Sequence, residues 1–120
     1  MKTVVVGASP DAFRYSSKAI KSLLDHNEQV VALGIRKGTA INLPILDIRE
    51  RPHIADVQTL TIYVSASNLS GYEDYLLSLR PERIIFNPGA ENSTFQKKAN
   101  ESGIETINDC TLVMLSVGAY

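Results

Sequence analysis

Short apolar runs alternate with amphipathic segments along most of the chain. Five runs, each four to six residues long and rich in Val, Ile, Thr or Leu, are predicted to be strands buried on both faces. These runs are Lys2–Val6, Gln29–Gly34, Thr59–Val64, Arg83–Phe86 and Ile104–Ile107.

Apolar residues at helical spacing follow four of the five runs. The spacing predicts helices from Ser16 to about Asn27, from Ser70 to Leu79, from about Asn92 to Ser102, and from Asp109 to Val117. The polar segment 36–58 contains two prolines and predicts no helix, although Leu43–Leu46 could add a short extended piece.

Strands that alternate with helices predict an α/β fold: a doubly wound, mostly parallel five-stranded sheet with helices on both faces. The 120 residues form one predicted domain, 1–120. Ligands of such sheets bind at the carboxyl ends of the strands. Four predicted loops meet there, namely 7–14, 34–38, 65–68 and 87–92.

Composition narrows the class of protein. With 44% hydrophobic and 21% charged residues, the chain has the composition of a typical folded globular protein. The single cysteine excludes an internal disulfide and an all-thiolate zinc site. No apolar run is long enough for a membrane span or a signal peptide, so we expect a cytoplasmic protein with no membrane partner. The net charge of −1 argues against nucleic acid, but residues 1–40 hold six basic and three acidic groups, which suits a small anionic ligand.

The first loop is the clearest candidate for anion binding. Gly7 directly follows the first strand and would let a diphosphate approach the backbone, and the next helix offers unpaired N–H groups. Ser9, Ser16 and Arg14 can add donors. The loop contains neither the G-x-G-x-x-G fingerprint nor a P-loop. An ordinary strand-to-helix turn with a surface arginine stays open as an alternative.

The loop after the second strand carries Gly34, Arg36 and Lys37. Two adjacent cations suit the extra phosphate on the adenosine ribose of NADP or coenzyme A, whereas dinucleotide sites for NAD usually place an acidic residue here. A solvated basic turn is the alternative. The third and fourth loops are small and polar, so Asn68 and Asn92 are equally well explained as caps.

The sequence shows no convincing arrangement of catalytic side chains. His26 and His53 lie away from the predicted strand ends, and neither stands beside a predicted nucleophile. Cys110 opens the last predicted helix, and we interpret it as an inert, buried thiol. No metal-ligand spacing is visible.

With these residues in place, the chain resembles the small stand-alone CoA-binding domain proteins, which are similar to the CoA-binding domain of the succinyl-CoA synthetase α subunit. The resemblance covers essentially the whole chain in order. It rests on Gly7-Ala8-Ser9-Pro10, Arg14-Tyr15-Ser16, Asn87-Pro88-Gly89-Ala90, Gly103-Ile104 and Asp109-Cys110. Two departures are a loop after the second strand without the family's prolines, and Asn87 in place of its Gln.

The resemblance implies a Rossmann-like fold that holds the ADP part of coenzyme A across the first two loops. It implies that one set of residues lines the diphosphate, a second meets the ribose phosphate, and a third borders the adenine or pantetheine path. The first set is Gly7, Ala8, Ser9, Arg14 and Ser16, the second is Arg36 and Lys37, and the third is Val64, Ser65 and Asn87. The same loops also contain the other residues predicted to bind the cofactor, which are Pro10, Tyr15, Gly34 and Gly89.

The sequence therefore leads to the hypothesis of a non-catalytic module that binds coenzyme A or an acyl-CoA, with a regulatory use as an extension. An NADP-binding oxidoreductase-like domain is one alternative. A partner-binding domain with a degenerate nucleotide pocket is another. The apolar segment 111–117 either packs on the sheet or contributes to a homodimer.

Overall fold

A computed structural model describes all 120 residues and contains one seven-stranded sheet. The strands are β1 (Lys2–Val6), β2 (Gln29–Gly34), β3 (Thr39–Ala40), β4 (Leu43–Asp47), β5 (Val57–Ile62), β6 (Arg83–Phe86) and β7 (Glu105–Asn108), in the spatial order β3-β4-β2-β1-β5-β6-β7. All neighbours pair in parallel except β3 and β4, which are antiparallel. The α/β class and the mostly parallel sheet are confirmed, and the predicted number of five strands is wrong.

The two additional strands form a hairpin at one edge of the sheet. β3 and β4 are joined by Ile41 and Asn42, which both have positive φ, 47° and 67°. That geometry is typical of the tight turns of hairpins, but their usual sequence is Asn-Gly or Asp-Gly. Pro44, inside β4, also weakens the strand pattern. Both features explain why the sequence indicates only an extended piece here.

The chain has five helices: α1 (Tyr15–Asp25), α2 (Ala66–Leu69), α3 (Glu73–Ser78) and α4 (Ser93–Glu101) lie between strands, and α5 (Thr111–Ser116) follows the last strand. A single 3-10 turn occupies Ile48–Glu50. No helix has the length and apolar character that crossing a lipid bilayer requires.

The helix predicted to begin at Ser70 begins three residues later. The predicted partner of Ser70, Glu73, does reach back, but its carboxylate accepts a hydrogen bond of 2.9 Å from the Gly71 N–H. Gly71 has a φ of +93°, which a helix does not tolerate, so the segment divides into α2 and α3.

Each face of the sheet buries an apolar cluster. One cluster holds 18 buried residues beneath α2, α3 and α4, with Phe86 and Phe95 in edge-to-face contact at 5.7 Å. The other holds seven, including Ile20 and Leu23 of α1 and Leu115 of α5. β2, which follows β1 in the chain, lies on one side of β1, whereas β5 lies on the other side. The strand order therefore reverses between β1 and β5. A ligand cleft is expected at the carboxyl ends of these two strands.

Candidate functional site

A cavity of about 1010 Å³ opens at the carboxyl ends of β1, β2, β5 and β6. Twelve of the fourteen residues predicted from the sequence lie in its wall, and Pro10 and Lys37 do not. The twelve are Gly7, Ala8, Ser9, Arg14, Tyr15, Ser16, Gly34, Arg36, Val64, Ser65, Asn87 and Gly89. The structure therefore brings residues from all four predicted loops to one place.

The first loop passes tightly over the sheet. The N–H groups of Gly7 and Ala8 both donate to the carbonyl oxygen of Leu33, at 2.8 and 3.1 Å. Gly7 has a φ of +100°, and a Cβ on it would lie 2.8 Å from Cγ2 of Val64. Only glycine suits this position, which lets the backbone itself form the floor of the cavity.

Ser17 secures the same loop from behind. Its fully buried hydroxyl lies within donating distance of the carbonyl oxygens of Ser9 and Asp11, at 3.0 and 2.8 Å. The Asp11 carboxylate in turn accepts from the Phe13 N–H at 2.9 Å. These bonds fix the backbone between β1 and α1 without using groups that face the cavity.

The first turn of α1 faces the cavity with unpaired donors. The backbone N–H groups of Tyr15, Ser16 and Ser17 have no hydrogen-bond partner in the protein, and the residue before the helix, Arg14, provides no side-chain cap. The turn contains no acidic residue. Free N–H groups and the positive end of the helix dipole together favour an anion.

Every charged side chain in the cavity wall is an arginine. Arg14 is only loosely paired, with 3.8 Å between its Nε and the Asp11 carboxylate. Arg36 makes no hydrogen bond or ion pair within the protein. Arg49 is paired with Asp47, and its hydrogen bonds to that carboxylate hold the pKa of Asp47 below its usual range.

A buried hydrogen-bond network supports the inner wall of the cavity. Asn87, 2% exposed, donates from Nδ2 to the Thr61 hydroxyl at 2.7 Å and to the Ile62 carbonyl oxygen at 2.9 Å. Its Oδ1 accepts from the N–H of Thr111 at 2.9 Å, and the Thr61 and Thr111 hydroxyls are 2.7 Å apart. Asn87 thereby joins β5, β6 and the start of α5.

Tyr63 and Cys110 lie beside this network, and both contribute to the cavity wall. The Tyr63 hydroxyl is buried and has no hydrogen bond of normal geometry, although Thr111 and Thr61 are close. Burial raises the pKa of Tyr63 to about 12. Cys110 is half-buried rather than buried, which corrects the expectation of a buried thiol.

Sequence reasoning did not assign the other eleven residues of the wall to the site. They are Val6, Ile35, Ile48, Arg49, Tyr63, Asn68, Leu69, Tyr72, Pro88, Cys110 and Leu112. Most of them belong to segments that the sequence interprets as core or as irregular chain. Arg49 is the most important of these residues. The sequence predicts no helix or strand around it, and nothing in the spacing between Arg36 and Arg49 indicates that both line the same cavity.

The two histidines lie outside the cavity wall, and no group of three or more His, Cys, Asp or Glu side chains is arranged to hold a metal ion. His26 is exposed at the end of α1, where its Nδ1 is 2.7 Å from the Ser22 carbonyl oxygen.

Comparisons with known proteins give one family and several related structures. A family model described as a CoA binding domain matches residues 1–116. A crystal structure of an uncharacterized protein is 40% identical, with a TM-score of 0.95 over 99% of this chain and 97% of that chain. No curated protein matches the chain.

Two more distant structures share the fold alone. A Thermus thermophilus protein is 19% identical, with a TM-score of 0.85 over 99% of this chain and 90% of that chain. A hypothetical protein from Pyrococcus horikoshii is 21% identical, with a TM-score of 0.77 over 91% and 77% of the two chains.

Proposed function

This chain belongs to the CoA-binding domain family, and from that premise we propose that it binds coenzyme A or an acyl-CoA through the ADP moiety. The observation that carries the proposal is the charge of the cavity wall: three arginines and no carboxylate. Coenzyme A presents a diphosphate and a ribose 3′-phosphate, which need several cationic or N–H donors. The cavity of about 1010 Å³ is also at the upper end of the sizes usual for small-molecule sites.

The diphosphate is assigned to the loop after β1 and the first turn of α1. Gly7 gives it access to the backbone, and the free N–H groups of Tyr15 and Ser16 point to the same anion. Arg14 is 62% exposed at its side chain and only loosely held by Asp11, so it can turn onto a phosphate. Ser9 lies in the same part of the wall.

The ribose phosphate is assigned to Arg36, which has no partner within the protein. Lys37 lies outside the cavity wall, so its contact with the ligand stays a prediction from the sequence. Pro10 also lies outside the cavity wall, so its contact with the ligand likewise stays a prediction from the sequence. The remaining assigned residues, Val64, Ser65, Asn87 and Gly89, border the path of the adenine or the pantetheine arm.

The proposal is for binding without catalysis. The wall contains no His, Asp, Glu or Lys, the groups that most often act as general acids and bases. A binding module of this kind suits a regulatory use in the cytoplasm. If segment 111–117 contributes to a homodimer, the contact would use Val113 of α5 and Val117 directly after it, which are 53% and 69% exposed. Sedimentation analysis tests this arrangement.

Calorimetric titration of the intact protein with coenzyme A, dephospho-CoA and NADP tests the proposal. We expect coenzyme A to bind more tightly than the other two, and saturation at 100 times Kd to stabilise the fold by about 2.7 kcal/mol. Arg36→Met should weaken coenzyme A about tenfold or more, since charge-assisted hydrogen bonds contribute about 1.5–3 kcal/mol. Lys97→Met, on the exposed side of α4, is the matched control.

The contrary outcomes are distinct. NADP bound as tightly as coenzyme A would favour the oxidoreductase-like alternative. A melting temperature that no nucleotide shifts would favour a partner-binding domain, because a ligand that binds only the folded state must stabilise it.

A further inference from the structure

We propose that Arg49, held in place by Asp47, is a specificity-determining residue for the 3′-phosphate of the ligand. This inference rests on the proposed function and assigns a residue that neither the family resemblance nor the sequence pattern indicates. It makes Asp47 a positioning residue, which acts on the ligand only through Arg49.

The strands place this pair beside the loop that carries Arg36. Asp47 is the last residue of β4 and lies in register with Gly34, the last residue of β2. The Nη2 of Arg49 is 3.5 Å from the carbonyl oxygen of Ile35, the residue before Arg36. Arg36 and Arg49, thirteen positions apart in the chain, therefore reach the same cavity from adjacent strands.

Asp47 holds the guanidinium at two points. The Nε of Arg49 donates to Oδ1 at 3.0 Å, and its Nη2 donates to Oδ2 at 3.0 Å. The Oδ1 also accepts from the backbone N–H of Arg49 at 2.9 Å. A side chain fixed in this fork has already lost much of its rotamer freedom, so less entropy is lost when it meets a ligand.

The fixed guanidinium keeps one group free. Nη1 makes no hydrogen bond within the protein, whereas Nε and Nη2 are both used. Because Arg49 contributes to the cavity wall, the two N–H groups of Nη1 are the ones available to a ligand oxygen. Together with the unpartnered Arg36 they suit a phosphate better than a neutral hydroxyl.

Asp47 is largely occupied as a hydrogen-bond acceptor. Three of the about four acceptor positions of its carboxylate receive N–H groups of Arg49, which makes it a weaker receptor for a ribose hydroxyl. The pair is also exposed, at 54% and 35% of the two side chains, and exposed ion pairs contribute little to stability. Variants at these two positions should therefore fold, and their effect should appear in ligand choice.

The measured quantity is the ratio of the affinities for coenzyme A and dephospho-CoA, by calorimetry on the intact protein. We expect Arg49→Met to lower this ratio about tenfold or more. Since Arg49→Met also leaves the Asp47 charge unpaired, the double variant Asp47→Asn with Arg49→Met is the decisive sample. It should show the same loss if Arg49 contacts the phosphate, and a wild-type ratio if the loss came from Asp47 repulsion.

Asp47→Asn alone separates positioning from charge. The variant removes a negative charge beside the site, so electrostatics alone would raise the ratio. If Asp47 orients Arg49, the ratio should fall, and Asp47→Glu should restore part of it. Lys21→Met, which breaks the comparable exposed pair with Asp25 within α1, serves as the control and should leave the ratio unchanged.

The outcomes distinguish this inference from the proposed function. A protein that prefers coenzyme A to dephospho-CoA, with a ratio that Arg49→Met leaves unchanged, would overturn the role of Arg49 alone. A protein that binds neither compound would overturn the proposed function itself.

Discussion

Gly34 lies directly against Ala8: a Cβ added to Gly34 would come within 2.8 Å of the Ala8 carbonyl oxygen and 3.2 Å of its nitrogen. The end of β2 and the loop after β1 thus meet backbone to backbone. The contact lets the two loops assigned to the ligand's phosphates share one wall of the cavity.

Gly34→Ala should therefore destabilise the protein, by about 1–3 kcal/mol, as overpacking usually does. In an open position the same change would stabilise slightly, because it restricts the unfolded chain. Here the atom that clashes belongs to the backbone of a loop fixed by its own hydrogen bonds, so it cannot move aside cheaply. Urea denaturation measures the change, and a variant as stable as the wild type would show that the loop yields.

Ser17→Ala should loosen the loop that is assigned to the diphosphate. The buried hydroxyl lies within donating distance of the carbonyl oxygens of Ser9 and Asp11, and the variant removes this shared donor. We expect a loss of about 1–2 kcal/mol in the free energy of unfolding and weaker binding of coenzyme A.

Ser102→Ala is the matched control for Ser17, since the Ser102 hydroxyl bonds a carbonyl oxygen of its own helix at 3.1 Å and is exposed. It should change neither quantity. Equal effects of the two variants would contradict the role assigned to Ser17.

Much of this arrangement could be predicted from the sequence because its signals are local. A β-branched run that ends in Gly7 and is followed by apolar residues at helical spacing indicates a strand, a tight turn and a helix. Parallel strands then bring every such turn to one edge of the sheet. For this reason twelve of the fourteen residues that the loops and the family resemblance together assign to the site meet in the cavity wall.

The remainder depends on relationships that sequence spacing does not encode. Lys37 is the next residue after Arg36 in the loop that follows β2, yet only Arg36 lies in the cavity wall, because the direction of a loop side chain follows from the local backbone. Arg49 reaches the cavity only because β4 pairs with β2. Pro44 and the atypical residues of the preceding turn obscure β4 in the sequence. The pattern of residues therefore could not show that Arg49 lies in the same cavity wall as Arg36.

Asn87→Ala should disconnect the inner wall of the cavity. The change leaves the Thr111 N–H and the Ile62 carbonyl oxygen without their side-chain partner in a buried setting. We expect a loss of about 2–3 kcal/mol in the free energy of unfolding. The control is Asn100→Ala, whose Oδ1 accepts one exposed hydrogen bond from Thr106. Similar losses of stability in both variants would show that the buried network around Asn87 stabilises the fold no more than one exposed hydrogen bond does.

Tyr63→Phe should change the dependence of stability on pH at the alkaline end. The folded-state pKa of Tyr63 is raised from 10.0 to about 12 by burial, so between these values the folded protein retains a proton that the unfolded chain releases. The stabilisation by neutral Tyr63 is complete below pH 10 and is lost as pH rises towards 12.

Urea denaturation of both proteins between pH 7 and pH 11.5 measures this effect. Near pH 7 the variant should differ from the wild type by less than about 1 kcal/mol, since the hydroxyl makes no regular hydrogen bond. Above pH 10 the wild type should lose on the order of 2 kcal/mol more than the variant. Burial also raises the pKa of Tyr75 and Tyr120, but those groups are common to both proteins, so the difference reports Tyr63 alone. Parallel curves would show that the Tyr63 hydroxyl ionises as readily in the folded protein as in the unfolded chain.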